Sequence, residues 1–167
     1  IGFFNAITAP MHAKFLNIST GKDSIIETEP LANYNILVLD QAFKGRSYIT
    51  FTNTNVLRNG SKRDANVSSL DLALFDKKNI HQFSASARYS KIWGTSPYDG
   101  YNTSLKYAKV SGRWRYYVSN SILSENYDPN DLGILFFPNN VSYKGSVSYY
   151  QNKPTNNFLM YNYSLTT

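Results

Sequence analysis

Apolar and polar side chains alternate along most of this chain. From His81 to Lys91, the residues His81, Phe83, Ala85, Ala87 and Tyr89 are interleaved with Gln82, Ser84, Ser86, Arg88 and Ser90. A period of two places successive side chains on opposite faces of a strand. The pattern returns where Trp114, Tyr116, Val118 and Ile122 alternate with Arg113, Arg115, Ser119 and Ser121. It returns again where Val141, Tyr143, Val147 and Tyr149 alternate with Ser142, Lys144, Ser146 and Ser148. Shorter runs set Leu70, Leu72 and Leu74 against Ser69 and Asp71, and Leu105 and Tyr107 against Ser104 and Lys106. Leu159, Tyr161, Tyr163 and Leu165 oppose Asn162 and Ser164. Ile1–Thr8, Asn33–Phe43 and Arg46–Leu57 are strand-like with looser alternation. The pattern predicts about nine strands and no helix.

Most of these runs reach roughly ten to twelve residues, beyond the usual 5–6 of soluble sheets. They suit the roughly 9–11 residues that a tilted strand needs to cross a bilayer. Short turns are expected at Lys44-Gly45, Lys77-Lys78, Ser111-Gly112 and Lys153-Pro154-Thr155. Long loops are expected at Pro10–Ala32, Arg58–Ala65, Ile92–Gly100 and Glu125–Asn140. Short and long connections then alternate, as in outer-membrane barrels with tight periplasmic turns and longer extracellular loops. A two-residue turn at Lys77-Lys78 pairs Leu74 with His81, Leu72 with Phe83 and Leu70 with Ala85. Likewise Ser111-Gly112 pairs Tyr107 with Tyr116 and Leu105 with Val118, and a turn at 153–155 pairs Tyr149 with Leu159 and Val147 with Tyr161. In each case the apolar faces coincide, as a slip of one residue would forbid. The hairpin at Lys44-Gly45 does not resolve, because Leu37 and Leu39 fall opposite Thr52 and Thr50.

These parities assign two surfaces. Leu72, Phe83, Ala85, Ala87, Leu105, Tyr116, Val118, Val147 and Tyr161 are expected to face lipid. Asp71, Arg88, Lys106, Arg113, Arg115 and Lys144 are expected to face a lumen, since charge cannot face hydrocarbon cheaply. Tyr89, Tyr101, Trp114, Tyr143 and Tyr149 fall near strand ends, where aromatic rings sit at the membrane interface. Composition agrees: apolar residues make up 42% and aromatics 16%, while charged residues reach only 17%. Nineteen asparagines and nineteen serines fill the difference. So many aromatics and so little charge exclude intrinsic disorder, and the shortage of Ala, Glu, Lys and Leu excludes a helical bundle. The absence of cysteine excludes disulfides and thiolate chemistry. No apolar run is long enough for a transmembrane helix. The chain opens without an initiator Met or leader pattern and stops inside an alternating run, so residues 1–167 are read as part of a single β-barrel domain, incomplete at both ends.

No catalytic set stands out. His12 and His81 lack metal-ligand spacing, and there is no nucleophile elbow or glycine-rich phosphate loop. Glu27 and Glu29 read as a solvated loop rather than a carboxylate pair across a cleft. Asp128-Pro129-Asn130-Asp131-Leu132-Gly133 offers oxygen ligands for a hard cation but lacks calcium-loop spacing, and it reads as a hydrogen-bonded turn. The net charge of +6 is spread over turns and strands without a stripe suited to nucleic acid. Lys44, Arg46, Lys77, Lys78, Lys109, Arg113 and Lys153 gather at the short-turn end. No cofactor and no nucleic-acid partner is expected.

Several strings also resemble a known family. They are Phe4-Asn5-Ala6-Ile7-Thr8, Glu29-Pro30-Leu31-Ala32-Asn33-Tyr34-Asn35, Thr52-Asn53-Thr54-Asn55-Val56-Leu57-Arg58, Asp64-Ala65-Asn66-Val67 and Tyr127-Asp128-Pro129-Asn130-Asp131-Leu132-Gly133. Together they look like a Bacteroidota outer-membrane family whose members carry an N-terminal carbohydrate-binding module similar to family nine, followed by a long barrel of uncharacterised function. The resemblance implies an outer-membrane location in a Gram-negative cell, with this chain as a fragment of the barrel. The expected role is transport, surface display or membership of an outer-membrane complex, without catalysis. Expected partners are outer-membrane lipid, other complex subunits or the protein's own N-terminal domain. The competing expectation is a secreted β-sandwich that binds carbohydrate on tyrosine platforms.

Overall fold

The computed structural model describes residues 1–19, 21–43, 45–60 and 63–167. Among these the regular elements are eleven strands: β1 (Gly2–Thr8), β2 (Met11–Asn17), β3 (Lys22–Glu29), β4 (Ala32–Ala42), β5 (Tyr48–Arg58), β6 (Asp64–Phe75), β7 (His81–Trp93), β8 (Tyr98–Lys109), β9 (Trp114–Leu123), β10 (Asn140–Gln151) and β11 (Tyr161–Thr166). Nine of them form one sheet in the order β1-β4-β5-β6-β7-β8-β9-β10-β11, antiparallel throughout. The sheet is open, with β1 and β11 at its edges.

The two extra strands lie in Pro10–Ala32, the segment expected to be loop. β2 and β3 extend the β1–β4 pair beyond the sheet: Thr8 faces Ala32, and past the prolines Met11 faces Glu29 without a slip. Pro10 and Pro30 stand at the break. Neither carries an N–H to continue the ladder, so one long ribbon becomes two sheets.

Loop lengths do not alternate as expected. Connections 59–63 and 94–97 are as short as the turns at the other end, because β5 to β8 run further than the alternation reveals. Only the β2–β3 ribbon and the 124–139 loop are long at that end. At the opposite end, the expected three-residue turn is a 152–160 loop, held by a bond from the Thr155 N–H to the Phe158 carbonyl.

The three later hairpins are offset from the expected registers with parity kept. Leu74 pairs with Phe83 rather than His81, and Leu72 with Ala85 rather than Phe83. The Asp76 carboxylate explains this, since it accepts the N–H of Ile80 at 2.6 Å and of His81 at 3.0 Å and so holds a wider turn. These bonds, the one from His81 foremost, lower the Asp76 pKa. Asn79 completes that turn at φ 52°, a conformation that asparagine tolerates better than most residues. Tyr107 pairs with Val118 and Leu105 with Asn120, across a turn in which Gly112 adopts φ 90°. Tyr149 pairs with Tyr163 and Val147 with Leu165, four residues from the expected partners Leu159 and Tyr161. The unresolved first hairpin settles with Leu39 opposite Phe51 and Leu37 opposite Asn53. Its Lys44 lies outside the described residues.

Hydrogen-bonded rungs advance steadily from strand to strand. The rung through Gln41, at the turn end of β4, passes Ile49, Leu72, Ala85, Leu105 and Asn120 and reaches Tyr143 near the start of β10. Strands tilted relative to the sheet axis produce this stagger.

Candidate functional site

The two faces of the sheet are opposite in character. All the buried strand residues among those described (Ala32, Val56, Ala65, Ala73, Ser90, Ile92, Gly100 and Ala108) fall on one face, hereafter the inner one. They are mostly small, yet Ala65 is 3% and Ser90 0% exposed. The outer face carries the large apolar side chains in the open, with Leu105 at 52% and Val118 at 60% exposure. This inverts the usual arrangement, in which large apolar groups leave water and small polar ones remain.

Every strand residue expected to face lipid shares the outer face: Leu72, Phe83, Ala85, Ala87, Leu105, Tyr116, Val118, Val147 and Tyr161. The aromatics Tyr89, Tyr101, Trp114, Tyr143 and Tyr149 lie there too. Tyr89 and Tyr101 form a cross-strand pair toward the loop end. At the turn end, Trp114 meets Tyr149 with ring centroids 5.0 Å apart, and Tyr161 continues to Tyr163 at 5.5 Å. His81 stacks on Tyr107 at 5.9 Å, with its Nδ1 2.9 Å from the tyrosine hydroxyl.

A polar band, unanticipated from the sequence, crosses the outer face. Asn5, Asn35, Asn55 and Asn66 occupy a single rung of β1, β4, β5 and β6, which continues through Lys91 to Asp99. Asn5 donates to Asn35 Oδ1 at 2.8 Å, and the Lys91–Asp99 pair closes at 3.3 Å. The four asparagines lie on four different strands, and only the registers align them.

Asp71, Arg88, Lys106, Arg115 and Lys144 share the inner face, while Arg113 sits in the turn before β9. Arg88 pairs with Asp71 at 3.1 Å. Lys106 instead lies over the Tyr117 ring at 4.7 Å, and the Arg115 guanidinium over Tyr150 at 4.4 Å. Among the described residues no carboxylate comes within ion-pair distance of either cation.

The inner face is covered at the loop end by the 124–139 segment. Its Tyr127 is 5% exposed, and a Cβ on Gly100 would lie 2.2 Å from the Tyr127 nitrogen, so only glycine admits the loop there. The Asp128 N–H donates to Ser90 Oγ at 3.0 Å, tying the loop to β7. Burial pushes the Tyr127 phenol above its ordinary range, and Asp71 pushes the same way against the pull of Arg88.

A charged cluster clamps this loop. Arg63 donates through Nε to Asp131 at 3.0 Å, through one terminal nitrogen to Asp128 at 2.7 Å and Asp131 at 2.8 Å, and through the other to the Tyr98 hydroxyl at 2.6 Å. Arg58 reaches Asp131 at 2.6 Å and also donates to the Arg63 carbonyl. Tyr98 in turn donates to Asp128 at 2.6 Å. Planar guanidinium groups suit such divided binding of two carboxylates. Burial alone would raise the Asp128 pKa, but hydrogen bonds from Tyr98, Arg63 and the Asn130 N–H outweigh it and bring it to about 2. Burial opposes the Arg63 charge, and its two aspartates and Tyr98 overcome that and raise its pKa.

The Asp128–Gly133 turn is therefore a clamp whose carboxylates are already taken by arginine. Its Asp128 Oδ1 accepts the Asn130 N–H at 2.9 Å, the turn chemistry expected from the sequence. Arg58, Arg63 and Tyr98 were not singled out from the sequence, because their partners lie far along the chain. The one available signal was two aspartates close together in a chain with only 11 acidic residues. No group of three His, Cys, Asp or Glu among the described residues is placed to hold a metal. Glu27 and Glu29 lie on the β2–β3 ribbon.

A family model described as a domain of unknown function (DUF5916) matches residues 1–167. No curated protein and no solved structure matches the chain.

Proposed function

This chain belongs to the DUF5916 family, and we propose that it forms part of the wall of a β-barrel in a Gram-negative outer membrane, of the Bacteroidota type that its sequence strings resemble. The observation that carries the reading is the inversion of the sheet: large apolar side chains stand exposed on the outer face, while the inner face carries the polar and charged residues together with a few buried side chains that are mostly alanine. Lipid against the outer face removes the cost of that exposure, at roughly 25 cal/mol per Å² of apolar surface. Strand length, aromatic rings near both ends of the belt and the steady stagger of rungs support it. The edges β1 and β11 run in the same direction, so antiparallel closure takes an odd number of further strands from the rest of the protein or from a partner subunit. The inner face then lines an aqueous lumen that the 124–139 loop narrows. Transport or scaffolding within a larger outer-membrane assembly is the role this supports.

Extraction tests the reading directly. Membranes from cells making the full-length protein are washed in high salt and then in detergent. The protein is expected to stay with the membrane through salt and to leave with detergent. Release by salt alone overturns the proposal.

A further inference from the structure

On β8 to β11 the inner face carries cations, hydroxyls and aromatic rings but no acid. We propose that this part of the wall is a binding site for a small solute bearing an oxyanion, a carboxylate or a phosphoryl group. The proposal goes beyond the membrane reading and stands whether or not lipid covers the outer face.

An open cleft of about 440 Å³ is lined here by Lys106, Arg115, Tyr117, Ser146, Ser148 and Tyr150, among others. Lys106 and Lys144 flank Ser119 on one rung, two strands apart, hence roughly 10 Å between their backbones. Arg115 lies further along the strand between them, opposite Ser148. Three cations thus share the inner face of three adjacent strands, and two of them, Lys106 and Arg115, line the cleft. Like charges gathered on one face repel one another, and an anion placed among them lowers that cost.

The carboxylates that could neutralise them stand elsewhere. On the inner face these are Asp40 and Asp71, on β4 and β6, where Asp40 accepts from Thr50 and Asp71 from Ser69 and Arg88. Lys106 and Arg115 lie instead over tyrosine rings. A cation over a ring face keeps N–H groups free at its sides. Arg115 spends its Nε on the Gly112 carbonyl at 3.2 Å, which leaves both terminal nitrogens for a ligand. Serine hydroxyls beside them complete a donor set that suits oxygen acceptors.

Calorimetry on the purified full-length protein, in detergent or in plain buffer as its solubility requires, tests this with inorganic phosphate, glucuronate and glucose. Reading binding in either medium separates failure of the site from failure of the membrane reading. Uptake of phosphate, of glucuronate or of both is expected, with none of glucose. Phosphate alone assigns a phosphoryl ligand, and glucuronate alone a carboxylated sugar. Lys106→Gln with Arg115→Gln is expected to weaken binding about tenfold or more, while Lys106→Arg keeps it. Should the double variant not fold, each single variant is expected to weaken binding several-fold. No uptake of either anion overturns the proposal, as does equal uptake of glucose or undiminished affinity in the folded variants.

Discussion

Ala85 and Ser86 are chain neighbours with opposite surroundings. Ala85 stands between Leu72 and Leu105 on the outer face, and Ser86 lies 2.8 Å from the Ser104 hydroxyl on the inner one. On the membrane reading, an Arg at Ala85 faces hydrocarbon in mid-belt and is expected to cost roughly 2–4 kcal/mol, a cost that Ser86→Arg on the opposite face avoids. Unfolding from lipid vesicles measures both, and equal costs would refute the facing. Gly100 makes a second prediction. Any Cβ there meets the backbone of Asn126 and Tyr127, which cannot yield as a flexible side chain would. Gly100→Ala is therefore expected to cost about 1–3 kcal/mol and to open the 124–139 loop to protease. A variant as resistant as the parent counts against the close approach. Which residues share a face was legible in the sequence for the three later hairpins, where each register error was an even number of residues and left parity intact, whereas the first hairpin was off by one. The Gly100 contact was not, since nothing local marks a glycine that a distant loop will touch.

Among the elements, the 124–139 loop is the one whose placement depends on charge. Asp128 has a folded-state pKa of about 2, below the roughly 3.9 of an unfolded aspartate. Its carboxylate thus binds protons less readily when the loop is docked. The resulting stability is complete above about pH 4 and disappears as pH falls toward 2, on the order of 2 kcal/mol. Hydrogen exchange of the 124–139 amides, corrected for intrinsic rates, is expected to lose protection across that window. Asp128→Asn is expected to remove the dependence, and protection that stays constant from pH 5 to 2 would contradict the clamp. Strand number and order in the main sheet were legible from alternation, but turn size was not. A side chain decides it in the β6–β7 turn: Asp76 captures two backbone N–H groups and adds a step to the turn. The β2–β3 ribbon escaped for another reason. Its exposed faces mix Lys14, Asp23, Phe15 and Ile25 without a period of two that would distinguish a strand from a loop.

For the molecule as a whole, the ends of the sheet differ more than its loop lengths alone suggested. One end carries the β2–β3 ribbon and the clamped 124–139 loop, and the other carries turns 76–80, 110–113 and the 152–160 loop. The second end also gathers Arg46, Lys77, Lys78, Arg113 and Lys153, a weak electrostatic attraction to anionic headgroups. Outer-membrane barrels keep their bulky loops outside the cell and their turns in the periplasm. Peptide tags at the β2–β3 tip and at 132–137 are therefore expected to bind antibody on intact cells. Tags at 77–78 and 154–155 are expected to remain silent until the outer membrane is permeabilised. The tag at 132–137 lies past Asp131, so it leaves the clamp carboxylates in place and reports topology rather than loop release. The reverse labelling would turn the sheet over in the membrane while leaving its two faces unchanged. Labelling at all four positions without permeabilisation would place both ends in one compartment, which no strand crossing a bilayer allows.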